Sequence, residues 1–213
     1  MKYRGRIAAS VALTAVFAAS ICMPAHAVDV IEDWAKVQAP AAPALKPVTI
    51  DSKTTALLLL DLINPNCPNR PRCMANIPAM KKLLTEARAK GMLVVYSVAP
   101  GKSAKDVIPD IAPQPTDPIV SANVDKFLNT DLDKILKDKG IQTVIVNGTG
   151  AHGAALYTAS EAAVRGYKVV APVDGMTSEN LYFEQISVWL LANGTGGIGP
   201  KTTLTRSDMI TFQ

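Results

Sequence analysis

Asp61 follows four consecutive leucines, Leu57 to Leu60. A carboxylate closing such an apolar run stands where a parallel sheet keeps its reacting groups, at the carboxyl end of a strand, and there it could take or give a proton. A loop or helix-capping carboxylate is the plainer alternative. The stretch Thr143 to Gly175, TVIVNGTGAHGAALYTASEAAVRGYKVVAPVDG, reads as strand, glycine elbow, helix and strand, with Gly148-Thr149-Gly150 breaking the strand so that a helix starts near Gly153. Free N–H groups at such a helix start attract an anion or a developing oxyanion. His152, in the elbow, could cap the helix, bond a carbonyl or contact a ligand. Cys67 and Cys73 flank PNRPR just after Asp61. They read most simply as a disulfide, with a thiol nucleophile or half of a metal site as alternatives. Arg70 and Arg72 in that loop could face an anionic substrate or water.

The elements needed to hold these residues follow from the apolar runs. Strand-like runs at Thr54–Leu60, Met92–Val98, Ile119–Val120, Thr143–Asn147, Lys168–Val173 and Thr202–Thr205 alternate with helical patterns near Ile77–Lys90, Thr130–Lys139, Gly153–Arg165 and Glu179–Ala192. That alternation predicts a mostly parallel sheet with helices on both faces. Gly140 and Gly166 suit helix C-termini, and Thr130-Asp131 suits an N-cap. Phe183 and Trp189, at helical spacing, are expected in the core.

The amino end has another purpose. Residues 1–27 carry Lys2, Arg4 and Arg6, then an apolar run, then Ala25-His26-Ala27, which predicts a cleaved export signal and a periplasmic or secreted mature chain. The apolar run is shorter than the ~20 residues a spanning helix needs, so no membrane association is expected after cleavage. Three positive charges leave with the signal, and the formal charge falls from +4 to +1. Nucleic acid binding therefore has no support. Residues 28–48, rich in Ala and Pro, read as an extended arm, and residues 49–213 as one domain.

Three segments, LLLLDLIN, KFLNTDLDKIL and VIVNGTGAHGAALYTASEAAVRGYKVVAPVDG, together resemble the isochorismatase-like hydrolases. The resemblance implies a three-layer α/β/α sandwich on a roughly six-stranded parallel sheet. Amidase members of that family use an Asp, a Lys and a nucleophilic Cys. Asp61 matches the Asp. Ala154 falls where the Cys would be, and Ser121, six residues before Phe127, falls where the Lys would be. Lys126 is the nearest cation and reaches the site only if the loop is built differently. The Ala151-His152 pair matches members that lack the Cys and act on a vinyl ether by proton transfer. The family often has a cis peptide at the place of Thr149-Gly150, and it often forms homo-oligomers.

The combined expectation is an exported hydrolase acting on a small molecule, at a vinyl ether or C–N bond, without a thiol. Asp61, His152 and Lys126 are the candidate catalytic residues. Asn64, Ser121, Asn123, Thr149, Gly150, Gly153 and Ala154 are the candidate lining. No metal or organic cofactor is required; the lone elbow histidine argues against a zinc site built on several histidines. The competing expectation is a small-molecule-binding protein that has kept the fold and lost the chemistry.

Overall fold

The computed structural model describes residues 29–213, so the expected export signal lies outside the described residues. Residues 29–40 form a unit of their own, holding one 3-10 turn, Trp34–Lys36, with no buried residue. The second unit is residues 41–213.

The sheet is built from β2 (Thr55–Leu60), β3 (Leu93–Val98), β4 (Ile119–Ser121), β5 (Thr143–Thr149), β6 (Lys168–Pro172) and β8 (Thr202–Thr205), in the order β4-β3-β2-β5-β6-β8. Every pairing is parallel, and the two-residue β7 (Met176–Thr177) adds to the end of β5. These match the six expected strands. Strand β2, TALLLL, is buried at every position, as a central strand covered on both faces must be. A separate parallel pair joins β1 (Val48–Ile50) to β9 (Ile210–Phe212).

Alternate residues of β2 feed two cores. Leu57 and Leu59 pack with Ile77, Met80, Leu83 and Leu84 of α1 (Pro71–Ala89). Leu58 and Leu60 pack on the opposite face, with Leu132 and Leu136 of α2 (Leu132–Asp138) and Ala159, Ala162 and Ala163 of α3 (Leu156–Val164). Leu191 of α4 (Leu181–Asn193) completes that layer, and a short α5 (Ile198–Lys201) leads into β8. Period-two alternation on β2 thus gives the α/β/α sandwich.

Helix α1 begins six residues before the expected Ile77. Pro71 occupies its first turn, where a missing N–H costs nothing, and Pro78 sits inside the helix, where a proline would be read as a boundary. The elbow also departs from a plain helix start. A single π turn, Ala151–Ala155, precedes α3, with Gly153 at φ −119°, ψ −107°. Gly148 lets β2 and β5 close up at their carboxyl ends: a Cβ there would lie 2.8 Å from Leu60 Cβ and 2.9 Å from its carbonyl oxygen.

Candidate active site

Asp61 leaves the end of β2 with φ +53°, a left-handed conformation uncommon outside glycine, so the backbone turns sharply as the strand ends. The turn is fixed from β3. Asp61 N–H donates to the Ser97 carbonyl at 3.1 Å and to Ser97 Oγ at 3.2 Å, while Ser97 Oγ donates to Asp61 Oδ1 at 2.9 Å. The other carboxylate oxygen, Oδ2, accepts from Lys126 Nζ at 2.8 Å. The lysine side chain is fully buried and that of Asp61 is 11% exposed. A buried ammonium must be paired and hydrogen-bonded to be tolerated, and this one is. Its remaining donors go to the carbonyls of Ala122, at 2.7 Å, and Asn123.

Lys126, not Ser121, therefore supplies the cation. Ser121 ends β4 with an exposed side chain, which corrects the position counted back from Phe127. The segment after β4 turns back on itself, so that Lys126 Nζ meets carbonyls three and four residues upstream, and this curl brings residue 126 over β2. Thr158 of α3 pins the curl, accepting from Lys126 N–H at 3.2 Å and donating to the Val124 carbonyl at 3.4 Å.

The elbow abuts the same curl: a Cβ on Gly153 would lie 3.6 Å from Val124 Cγ1. The Thr149-Gly150 peptide is cis. The N–H groups of Gly153 and Ala155 both return to the Gly150 carbonyl, at 3.0 and 3.4 Å. Ala154 is buried and presents only a methyl group. Cys67 and Cys73 are bonded to each other, which selects the disulfide among the readings of that pair. Asn64 and Asn123 are exposed, and the structure gives neither side chain a protein partner. The Thr149 hydroxyl is engaged, accepting from Arg70 Nη1 at 3.0 Å and donating to the Thr177 carbonyl at 3.2 Å.

His152 belongs to a second polar cluster. Its ring lies over Phe183, with centroids 4.0 Å apart, and Nδ1 is 2.9 Å from Ser178 Oγ. The Ser178 hydroxyl has one proton and directs it at Glu179 Oε2, 2.9 Å away, so His152 Nδ1 carries the hydrogen of the bond to Ser178. Glu184, also buried, accepts Ser178 N–H at 3.0 Å and is gripped by Arg72 Nε at 2.9 and 2.8 Å. That hydrogen bond and the Glu184 charge push the Arg72 pKa up. Burial acts to raise the Glu179 pKa, but its own N–H, the Ser178 hydroxyl and the electrostatic influence of Arg70 and His152 together hold it below the ordinary value.

Ser97, Ser178, Glu179 and Glu184 were not picked out from sequence. Ser97 had one signal, its place near the end of the strand beside β2. Phe183 and Trp189 correct the expectation of core aromatics, since Phe183 is half-buried against His152 and Trp189 is exposed. Among the described residues, no group of three His, Cys, Asp or Glu side chains could hold a metal ion. Two surface clefts, of about 210 and 430 Å³, lie elsewhere, and neither is lined by Asp61.

Residues 55–199 match the model of the isochorismatase domain. The chain belongs to the isochorismatase family. Among solved structures, this isochorismatase-family chain is similar to an isochorismatase-like hydrolase from Alkaliphilus metalliredigens, at 25% identity and TM-score 0.64, over 73% of this chain and 95% of the other. It is similar in fold to a cysteine hydrolase from Pseudomonas syringae pv. phaseolicola 1448A, at 22% identity and TM-score 0.68, over 79% and 95%. The same holds for N-carbamoylsarcosine amidase from Thermoplasma acidophilum, at 24% identity and TM-score 0.61, over 73% and 97%. No curated protein sequence matches the chain.

Proposed function

We propose that this isochorismatase-family chain is an exported hydrolase that cleaves a small molecule by acid/base chemistry at Asp61, without a thiol nucleophile. The observation that carries the reading is the buried Asp61–Lys126 pair beside an elbow whose position 154 is alanine. The disulfide adds support, because both cysteines near Asp61 are bonded to each other and hold no free thiolate. On a vinyl ether, Asp61 would give its proton to the terminal alkene carbon. Water would then add to the oxocarbenium ion and return a proton to the carboxylate, and the resulting hemiketal would break its C–O bond to release a carbonyl product and an alcohol. On a C–N bond, the carboxylate would take a proton from the attacking water and pass it to the leaving nitrogen. Elbow N–H groups other than those of Gly153 and Ala155, which bond the Gly150 carbonyl, would receive the developing oxygen charge. Export agrees with the disulfide, which persists in oxidising compartments.

A second reading, a binding protein without turnover, has one observation in its favour. Lys126 has three N–H donors, and all three are spent inside the protein, on Asp61 and two carbonyls. Turnover of vinyl ethers, N-carbamoyl compounds and small amides by residues 28–213 separates the two. Hydrolysis of any class supports the enzyme. A ligand that raises the melting temperature yet is returned unchanged, with no class hydrolysed, supports the binder.

A further inference from the structure

Arg70 and Arg72 leave the same stapled turn and end differently. Arg72 is spent on the buried Glu184. Arg70 is the N-cap residue of α1, between the two cysteines of the disulfide, and its Nη1 is anchored on Thr149, the residue before the Gly150 elbow. Its Nε faces Glu179 Oε2 at 3.3 Å, and the side chain stays 23% exposed. The other oxygen of Glu179, Oε1, lies 3.7 Å from His152 Nε2. Charge-assisted hydrogen bonds run at about 2.7–2.9 Å, so neither contact is tight. Glu179 is itself 43% exposed and makes its short side-chain bond with Ser178. One carboxylate thus spans the gap between a guanidinium and an imidazole, one oxygen to each, and is loosely held there.

We propose that Arg70 and His152 form a receptor for a carboxylate of the substrate, and that Glu179 is the resident carboxylate the substrate displaces. This rests on the small-molecule hydrolase reading and narrows its substrate to molecules carrying a carboxylate near the bond that breaks. The receptor is pre-organised: the disulfide and the Thr149 hydroxyl fix Arg70, while Phe183 and Ser178 fix the imidazole. Displaced Glu179 has water to enter. The receptor is also close to Asp61 in the fold, since β5 runs beside β2 and Leu60 pairs with Gly148, one residue before Asp61 and Thr149 respectively. The pull of Arg70 and His152 on the Glu179 pKa agrees with a place that stabilises an anion.

The test is binding, measured by NMR titration of the mature chain with acetate, propionate and benzoate, each against its own amide. The wild type is expected to prefer carboxylates. Arg70→Gln is expected to weaken them by about 10-fold or more, the scale of a hydrogen bond to a charged group, and to leave the amides unchanged. Glu179→Gln is expected to strengthen carboxylate binding, because the competitor is gone. Equal affinity for every acid and its amide, an Arg70→Gln variant that still prefers the acids, or a Glu179→Gln variant that binds them more weakly would each overturn the receptor. Because the readout needs no turnover, the two proposals fail separately. A chain that hydrolyses nothing but shows the Arg70-dependent preference loses the hydrolase reading and keeps the receptor; one that hydrolyses neutral amides with no acid preference does the reverse.

Discussion

Replacing Lys126 by Met removes the charge beneath the site and keeps most of the stem that packs around it. Three hydrogen bonds go with the ammonium, to Asp61 Oδ2 and to the carbonyls of Ala122 and Asn123. Removing one partner of a buried ion pair costs about 3–5 kcal/mol, because the other charge is left uncompensated. Asp61 keeps its bond from Ser97, and its side chain is 11% exposed, so water relieves part of the loss. The lower end, about 3 kcal/mol, is therefore expected. In a chain of this size that is a fall in melting temperature of about 6–12 °C. Equilibrium urea unfolding gives the free energy directly, and the partner variants give the coupling. Asp61→Asn with Lys126→Met should cost less than the sum of the single changes by about 2 kcal/mol. A coupling below about 0.5 kcal/mol would refute the claim that the two residues act as one buried unit.

Gly148→Ala forces a Cβ against Leu60 Cβ and the Leu60 carbonyl, so β2 and β5 must part just below Asp61; unfolding should show a loss of about 1–3 kcal/mol, with turnover falling alongside. The Cys67→Ser/Cys73→Ser double variant opens a disulfide with sequence separation 6 and should lose about 2 kcal/mol in urea unfolding by the loop-closure relation. Burial acts to raise the Asp133 pKa, but bonds from Lys137 and Tyr167 and the charge of Arg165 outweigh it and hold the group below its ordinary 3.8. Its folded value is the lower one, so its contribution to stability is complete above that ordinary value and is lost as the pH falls through the folded one. Asp133→Asn should flatten the acid limb of a stability–pH curve in that window and leave its slope near neutrality unchanged.

The four inner strands of the sheet were legible because each is rich in consecutive apolar residues, and Asp61 because a charge closes the most apolar of them. Strand β7 has two residues, too short to show a period, and β1 and β9 pair with each other outside the six-strand sheet. Lys126 could not be found by counting from Phe127, because its reach depends on a curl closed by its own ammonium on residues 122 and 123. Ser97 and Ser178 meet their partners across 36 and 26 residues, and a hydroxyl leaves no local pattern for such a contact. Phe183 was misplaced for a related reason: apolar spacing on a helix does not distinguish a core side chain from one lying over a histidine at the rim.

In the proposed mechanism Asp61 carries the proton chemistry and no thiol takes part. The most direct measurement is kcat/KM of Asp61→Asn and of Cys67→Ser/Cys73→Ser beside wild type, on the best substrate found, at a temperature where all three are folded. A fall of about 10²–10⁴-fold is expected for Asp61→Asn, the size of a lost general acid or base, and a change within a few-fold for the cysteine variant. Wild-type turnover in Asp61→Asn, or its collapse in the cysteine variant with the fold intact, would contradict that mechanism.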